Sequence, residues 1–198
     1  EYIAPDRPGF GQSRPEGPTV SLETQARALE PFLAPGSDAP VILVGHSLGA
    51  AVIARAALLY PGRVDGLFIL AGAMDPGLED PHWVQPLGTI PPFSWLLPRE
   101  LDNANRELLA YEEELRQLVP RLEEITQPVR ILHGARDELV PFDNVSFMRK
   151  AFAAAPVQVT RLENAGHFLL WSSPTLVQAE INTLVARICG GLRTCERQ

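Results

Sequence analysis

The stretch Val41-Ile42-Leu43-Val44-Gly45-His46-Ser47-Leu48-Gly49-Ala50-Ala51-Val52 constrains this chain more than any other. Its apolar run reads as a strand buried on both faces, and it stops at a glycine. From Ala50 to Tyr60 the residues favour helix, and Pro61-Gly62 closes that run. A strand therefore turns into a helix within a few residues, with Ser47 at the apex. Gly45 and Gly49 suit so sharp a turn, where a Cβ at either place is expected to collide with the strand or the helix. This is a G-x-S-x-G pattern in the strand-turn-helix setting that presents a nucleophilic serine. Alone the pattern is weak; its setting and two later partners give it weight.

The partners lie in two further strand-loop units. Val129-Arg130-Ile131-Leu132-His133-Gly134 reads as strand, and the polar loop from Ala135 to Pro141 holds Asp137. Val157 to Leu162 reads as the last strand, and the loop from Glu163 to Phe168 holds His167. Loops at the carboxyl ends of parallel strands open on one edge of the sheet, so Ser47, Asp137 and His167 are expected to meet there. A serine hydroxyl needs a base, and imidazole is the side chain suited to the task near neutral pH. A buried carboxylate fixes the imidazole tautomer and stabilises the imidazolium. The Leu48 N–H, next to the serine, is the expected oxyanion donor. Asp75, after the preceding strand, is the rival acid. Of the other histidines, His46 is expected to pack under the loop, His133 to hydrogen-bond the turn at Asp137, and His82 to lie on the surface.

Strands alternate with helices elsewhere too, which predicts a mainly parallel sheet flanked by helices. Tyr2-Ile3-Ala4 reads as the end of a strand, and Ser21 as the cap of a helix running to about Leu33. Gly66 to Gly72 is another buried strand. Six prolines between Pro76 and Pro98 exclude a regular element there. A helix follows from Arg99 to Val119, its buried stripe drawn through Leu101, Ala104, Leu108, Tyr111, Leu115 and Leu118. Asp143 is placed to cap the next helix, and Pro174 opens a terminal one reaching about Ile188.

Four segments together resemble the α/β-hydrolase superfamily: the loop Asp6-Arg7-Pro8-Gly9-Phe10-Gly11-Gln12-Ser13, and the motifs G-H-S-L-G, H-G-x-x-D-x-L-V-P and A-G-H-F. The resemblance implies an α/β fold with Ser47, Asp137 and His167 as nucleophile, acid and base. It also implies that Asp6 and Arg7 are structural, and that residues 74–126 form a small helical cap inserted in a core of residues 1–73 and 127–198. Trp83, Phe93, Trp95 and Leu96 become candidates for an acyl pocket. In the superfamily this loop follows the fourth strand, so three earlier strands come before the one ending at Tyr2-Ile3-Ala4, and a second oxyanion donor follows the third of them. Both are expected ahead of Glu1, so the chain is read as N-terminally incomplete.

The expected activity is carboxylic ester hydrolysis through an acyl-enzyme, on a small-molecule substrate with an apolar acyl group. The same residues could serve a thioester or a carbon-carbon bond, and a non-catalytic binding module is the reading from another class. A carboxylate nucleophile, as in the superfamily's dehalogenases and epoxide hydrolases, is excluded by Ser47. A net charge of −7 with no run of Lys or Arg argues against nucleic acid. No apolar stretch is long enough to span a membrane. No cofactor or metal-ligand spacing is present, and Cys189 and Cys195 read as incidental thiols. The chain opens on Glu1 rather than Met and shows no signal pattern, so its true N-terminus is expected to be absent. Its location is left unknown, with the cytoplasm slightly favoured, and its oligomeric state is left open.

Overall fold

The computed structural model describes residues 1–33, 39–79 and 97–191. Four strands form one sheet in the order β1 (Ile42–His46), β2 (Gly66–Leu70), β3 (Val129–Gly134) and β4 (Val157–Leu162). All three pairings are parallel, with Ser47, Ala71, Ala135 and Glu163 following the strands at one edge. The helices are α1 (Leu22–Arg27), α2 (Gly49–Leu59), α3 (Arg99–Leu118), α4 (Asp143–Ala151), α5 (Leu169–Ser172) and α6 (Pro174–Gly191).

Period-two alternation along β2 divides the core. Leu67 and Ile69 face one side, packed with residues of α1, α2, α3 and α4; Phe68 and Leu70 face the other, packed with α5 and α6. Each of these fully buried side chains contributes roughly 1.5–3 kcal/mol of burial free energy. Two covered faces explain why β2 and β3 read as continuous apolar runs.

Five local expectations are corrected. β1 is not buried on both faces: Val44 is 42% exposed, because β1 edges the described sheet and α6 packs over β2 and β3. Tyr2-Ile3-Ala4 is irregular and exposed, since no described strand pairs with it. α1 does start at the Ser21 cap, whose hydroxyl accepts the Thr24 N–H at 3.3 Å, but it ends at Arg27. A 3-10 turn at Glu30–Phe32, with Pro31 inside it, replaces the expected continuation. Asp143 is the first helical residue of α4 and not its cap; Phe142 holds that place without a side-chain bond. Cys189 is not a free thiol but is disulfide-bonded.

The stripe of α3 is also partly reassigned. Tyr111, Leu115 and Leu118 are buried as expected, whereas Leu101 and Leu108 are exposed and Asn103 and Glu107 are buried in their stead. Polar partners make that possible. Asn103 Nδ2 donates to Gly9 O at 2.7 Å and to Glu16 O at 2.8 Å. Glu107 accepts from Arg7 Nη1 at 2.8 Å and from the Thr19 N–H at 3.3 Å. Glu114 accepts the Leu22 N–H at 2.7 Å. Asp6 accepts the Gln12 N–H, so both charges of the Asp6-Arg7 pair are spent on holding the loop. Among the described residues no helix is long and apolar enough to cross a membrane.

Candidate active site

Ser47 follows β1 directly and occupies the left-handed region, with φ of 55°. For a residue with a side chain this conformation is strained, and backbone bonds hold it. The Ser47 N–H donates to Leu70 O at 3.0 Å, and Ser47 O accepts from the Ala50 N–H at 3.0 Å and the Ala73 N–H at 3.3 Å. A Cβ on Gly45 would strike the Gly49 carbonyl, which explains the first glycine of the motif. Gly49 is different: a Cβ there would meet open space, so the expected collision does not exist. Leu48 stands at the N-terminus of α2, and its N–H donates to no acceptor among the described residues, as the first amides of a helix must.

Asp137 lies in the loop after β3, buried. Its Oδ1 accepts the N–H groups of Leu139 at 3.0 Å and Val140 at 2.8 Å, and its Oδ2 accepts from His167 Nδ1 at 2.8 Å. Burial pushes the carboxyl up, but the hydrogen bonds from His167 and from these amides outweigh it and hold the group below the ordinary aspartate range. A histidine that gives Nδ1–H to a carboxylate keeps Nε2 free to accept a proton. The carboxylate of Asp75 makes a local contact instead: its Oδ1 accepts the Gly77 N–H at 2.9 Å, beginning the 3-10 turn Pro76–Leu78.

His46 is half-buried against the His167 loop. Its Nε2 is 2.9 Å from His167 O, and the two rings are 4.6 Å apart. Burial holds it below the ordinary histidine range, hence neutral and able to donate to that carbonyl. His133 is fully buried, its Nε2 3.0 Å from Val140 O and 3.6 Å from Asp137 Oδ2, which agrees with a role in the turn.

Ser47, Leu48 and His167 line a single cavity of about 440 Å³. Its remaining wall comes from Leu78, Glu79, Leu108, Tyr111, and Glu138 to Pro141, with Ala73 and Asn144. None of these was expected to line a pocket. Leu108 carried a signal, an apolar residue at helical spacing, but it was assigned to the core; Glu79 carried none. Tyr111 is fixed by its hydroxyl, which donates to Ala73 O at 2.6 Å. The expected pocket residues Trp83, Phe93, Trp95 and Leu96, and His82, lie outside the described residues. No group of His, Cys, Asp and Glu suited to a metal ion occurs among the described residues.

The family model described as "Alpha/beta hydrolase family" matches residues 1–180. The chain is 30% identical over 139 residues to the mitochondrial palmitoyl-protein thioesterase ABHD10 of Mus musculus, covering 66% of this chain and 46% of that protein. It is 33% identical over 87 residues to Protein PHYLLO, chloroplastic, of Arabidopsis thaliana, covering 40% of this chain and 5% of that protein. The chain thus spans less than half the length of either. Among solved structures it resembles a monoacylglycerol lipase of Paleococcus ferrophilus, with a TM-score of 0.67, 19% identity, and coverage of 90% of this chain and 80% of that one. Mouse alpha/beta hydrolase domain-containing protein 10 gives a TM-score of 0.61 at 22% identity, with coverage of 96% and 77%. At these identities the structural likeness speaks for the fold.

Proposed function

The chain belongs to the alpha/beta hydrolase family, and from that premise we propose that it is a serine hydrolase that cleaves a carboxylic ester through an acyl-enzyme. The observation that carries this reading is the buried His167–Asp137 pair, 2.8 Å apart, whose histidine lines the same cavity as a serine in left-handed backbone. Ser47 Oγ attacks the substrate carbonyl as His167 Nε2 takes its proton. Asp137 holds the His167 tautomer and stabilises the imidazolium. The Leu48 N–H, pointing from the N-terminus of α2, stabilises the oxyanion. His167 then returns the proton to the leaving alcohol, and water cleaves the acyl-enzyme with the same base.

Residues 74–126 are read as the cap of a core formed by 1–73 and 127–198. Support comes from Leu78, Glu79, Leu108 and Tyr111, which bring one wall of the cavity from that segment. Leu78, Leu108 and Leu139 suit a medium apolar acyl chain. A thioester is the second reading, favoured by the thioesterase named among the curated relatives.

Intact-mass labelling with a fluorophosphonate tests the proposal. One adduct is expected on the folded chain and none on Ser47→Ala, together with a loss of ester turnover of about 10⁴-fold or more. A folded chain that takes no label would overturn it. Matched oxygen and sulfur esters of one acyl group then decide between the two substrates by kcat/KM.

A further inference from the structure

We propose that Glu79 is a specificity-determining residue that makes the cavity select neutral or cationic substrates and reject those with an anionic group near the scissile carbonyl. The inference rests on the hydrolase reading for what occupies the cavity. Glu79 closes the 3-10 turn Pro76–Leu78 and lines the same cavity as Ser47 and His167. Among the described residues, the titratable groups that act on it or share its cavity are Asp75, Tyr111, Glu112, Glu138 and His167. Asp75 belongs to its own turn; Glu112 and Tyr111 come from α3, with Glu112 paired to Arg116; Glu138 and His167 come from the loops across the cavity. No Lys or Arg lines the cavity among the described residues.

That setting matters because, among the described residues, no Lys or Arg beside Glu79 compensates its charge. Burial first, then Glu112 and Asp75, push its carboxyl up to about 7. A negative substrate group brought beside it meets a like charge in a partly dry cleft. There such repulsion is strong enough to change kcat/KM by roughly 10-fold. A neutral acyl chain brings no like charge to Glu79, and a cation gains a partner. Selectivity of this kind comes from repelling the wrong substrate rather than from gripping the right one.

Three p-nitrophenyl esters of an unbranched six-carbon acyl chain provide the test, ending in methyl, carboxylate or trimethylammonium. The wild type is expected to prefer the methyl and trimethylammonium esters over the carboxylate by roughly 10-fold at pH 8.5. Glu79→Gln should narrow that gap to about 2-fold, read as the ratio of kcat/KM for the methyl and carboxylate esters within each enzyme. Lowering the pH from 8.5 to about 6 should narrow the wild-type gap as Glu79 takes up its proton, since the aliphatic carboxylate of the substrate stays ionised there. The catalytic machinery is common to all three esters, so its own pH dependence drops out of the ratio.

Equal rates for the three esters in the wild type, or proportional changes in Glu79→Gln, would overturn the inference. Equilibrium binding of the corresponding methyl esters to Ser47→Ala separates this failure from that of the hydrolase reading. Rejection of the carboxylate by Ser47→Ala, with no turnover in the wild type, would sink the hydrolase reading and leave the role of Glu79 standing. Equal binding of all three would sink the role of Glu79 whatever the turnover.

Discussion

The edge of the sheet that carries Ser47, Asp137 and His167 and the seat of α3 are both held by buried polar contacts, yet the contacts are of opposite kinds. Asp137 is fixed by amides two and three residues away, and His133 reaches a carbonyl seven residues on. The α3 helix is fixed by side chains whose partners lie 87 to 100 residues distant in sequence. Short-range contacts of the first kind leave a compact motif behind them. Long-range contacts of the second kind leave isolated polar residues on a helix, with nothing nearby to announce their purpose. The two regions should therefore fail differently when broken.

The largest expected effect belongs to the sheet edge. Asp137→Asn should lower kcat on an ester by about 10³- to 10⁴-fold, because the imidazole loses its fixed tautomer. Asp75→Asn should stay within about 3-fold, since an Asn oxygen still caps the Gly77 turn. Steady-state kinetics on both variants check this, and the reverse order would make Asp75 the acid.

Next comes the seat of α3. Asn103→Ala removes two hydrogen bonds to buried or half-buried carbonyls and should cost about 1–3 kcal/mol in denaturant unfolding. Fluorophosphonate labelling of Ser47 well below the melting point should proceed at the wild-type rate. Loss of labelling at unchanged stability would mean that the two regions are not separable.

A pH series sharpens the contrast further. Burial depresses the pKa of both His46 and His133 in the folded chain, so the unfolded chain takes up their protons first as pH falls. Their contribution is intact above the ordinary value of 6.5 and is lost as the pH drops from there through their lower folded values. Asp137 acts in the same direction below its ordinary 3.8. Tm should therefore fall on acidification from pH 7, less steeply in His46→Gln and with unaltered slope in Asn103→Ala. The smallest effect is expected at Gly49→Ala, a gain of about 0.5 kcal/mol, since the new methyl meets open space and the unfolded chain loses freedom. Chemical denaturation measures it; Gly45→Ala, which drives a methyl into the Gly49 carbonyl, should be clearly destabilised by the same assay.

The same contrast explains what was legible beforehand. The Ser47 turn, the Asp137 loop and the His167 loop each occupy a few consecutive residues, so their geometry follows from local spacing. Along α3, Leu101 and Leu108 obey helical periodicity as well as Asn103 and Glu107 do. Only the presence of Gly9, Glu16, Arg7 and Thr19 on the facing loop decides which set is buried. Hydrophobicity without knowledge of the partner picks the wrong pair. The double burial expected of β1 fails for a related reason, because the exposure of Val44 depends on where α6 lies. Glu79 was invisible because a lone glutamate acquires meaning only from the walls around it.

The Asp137 and His167 loops also meet directly, main chain to main chain. The Ala135 N–H donates to Leu162 O at 2.8 Å and the Arg136 N–H to Ala165 O at 3.0 Å, while Gly134 lies so close to Ala165 and Gly166 that no side chain fits. The separation of Asp137 from His167 is thus written in peptide groups, which every sequence possesses. Substitutions at 135, 136, 163 and 165 can accumulate without detuning the pair, and the tolerance of this part of the molecule to genetic drift narrows to one position, Gly134.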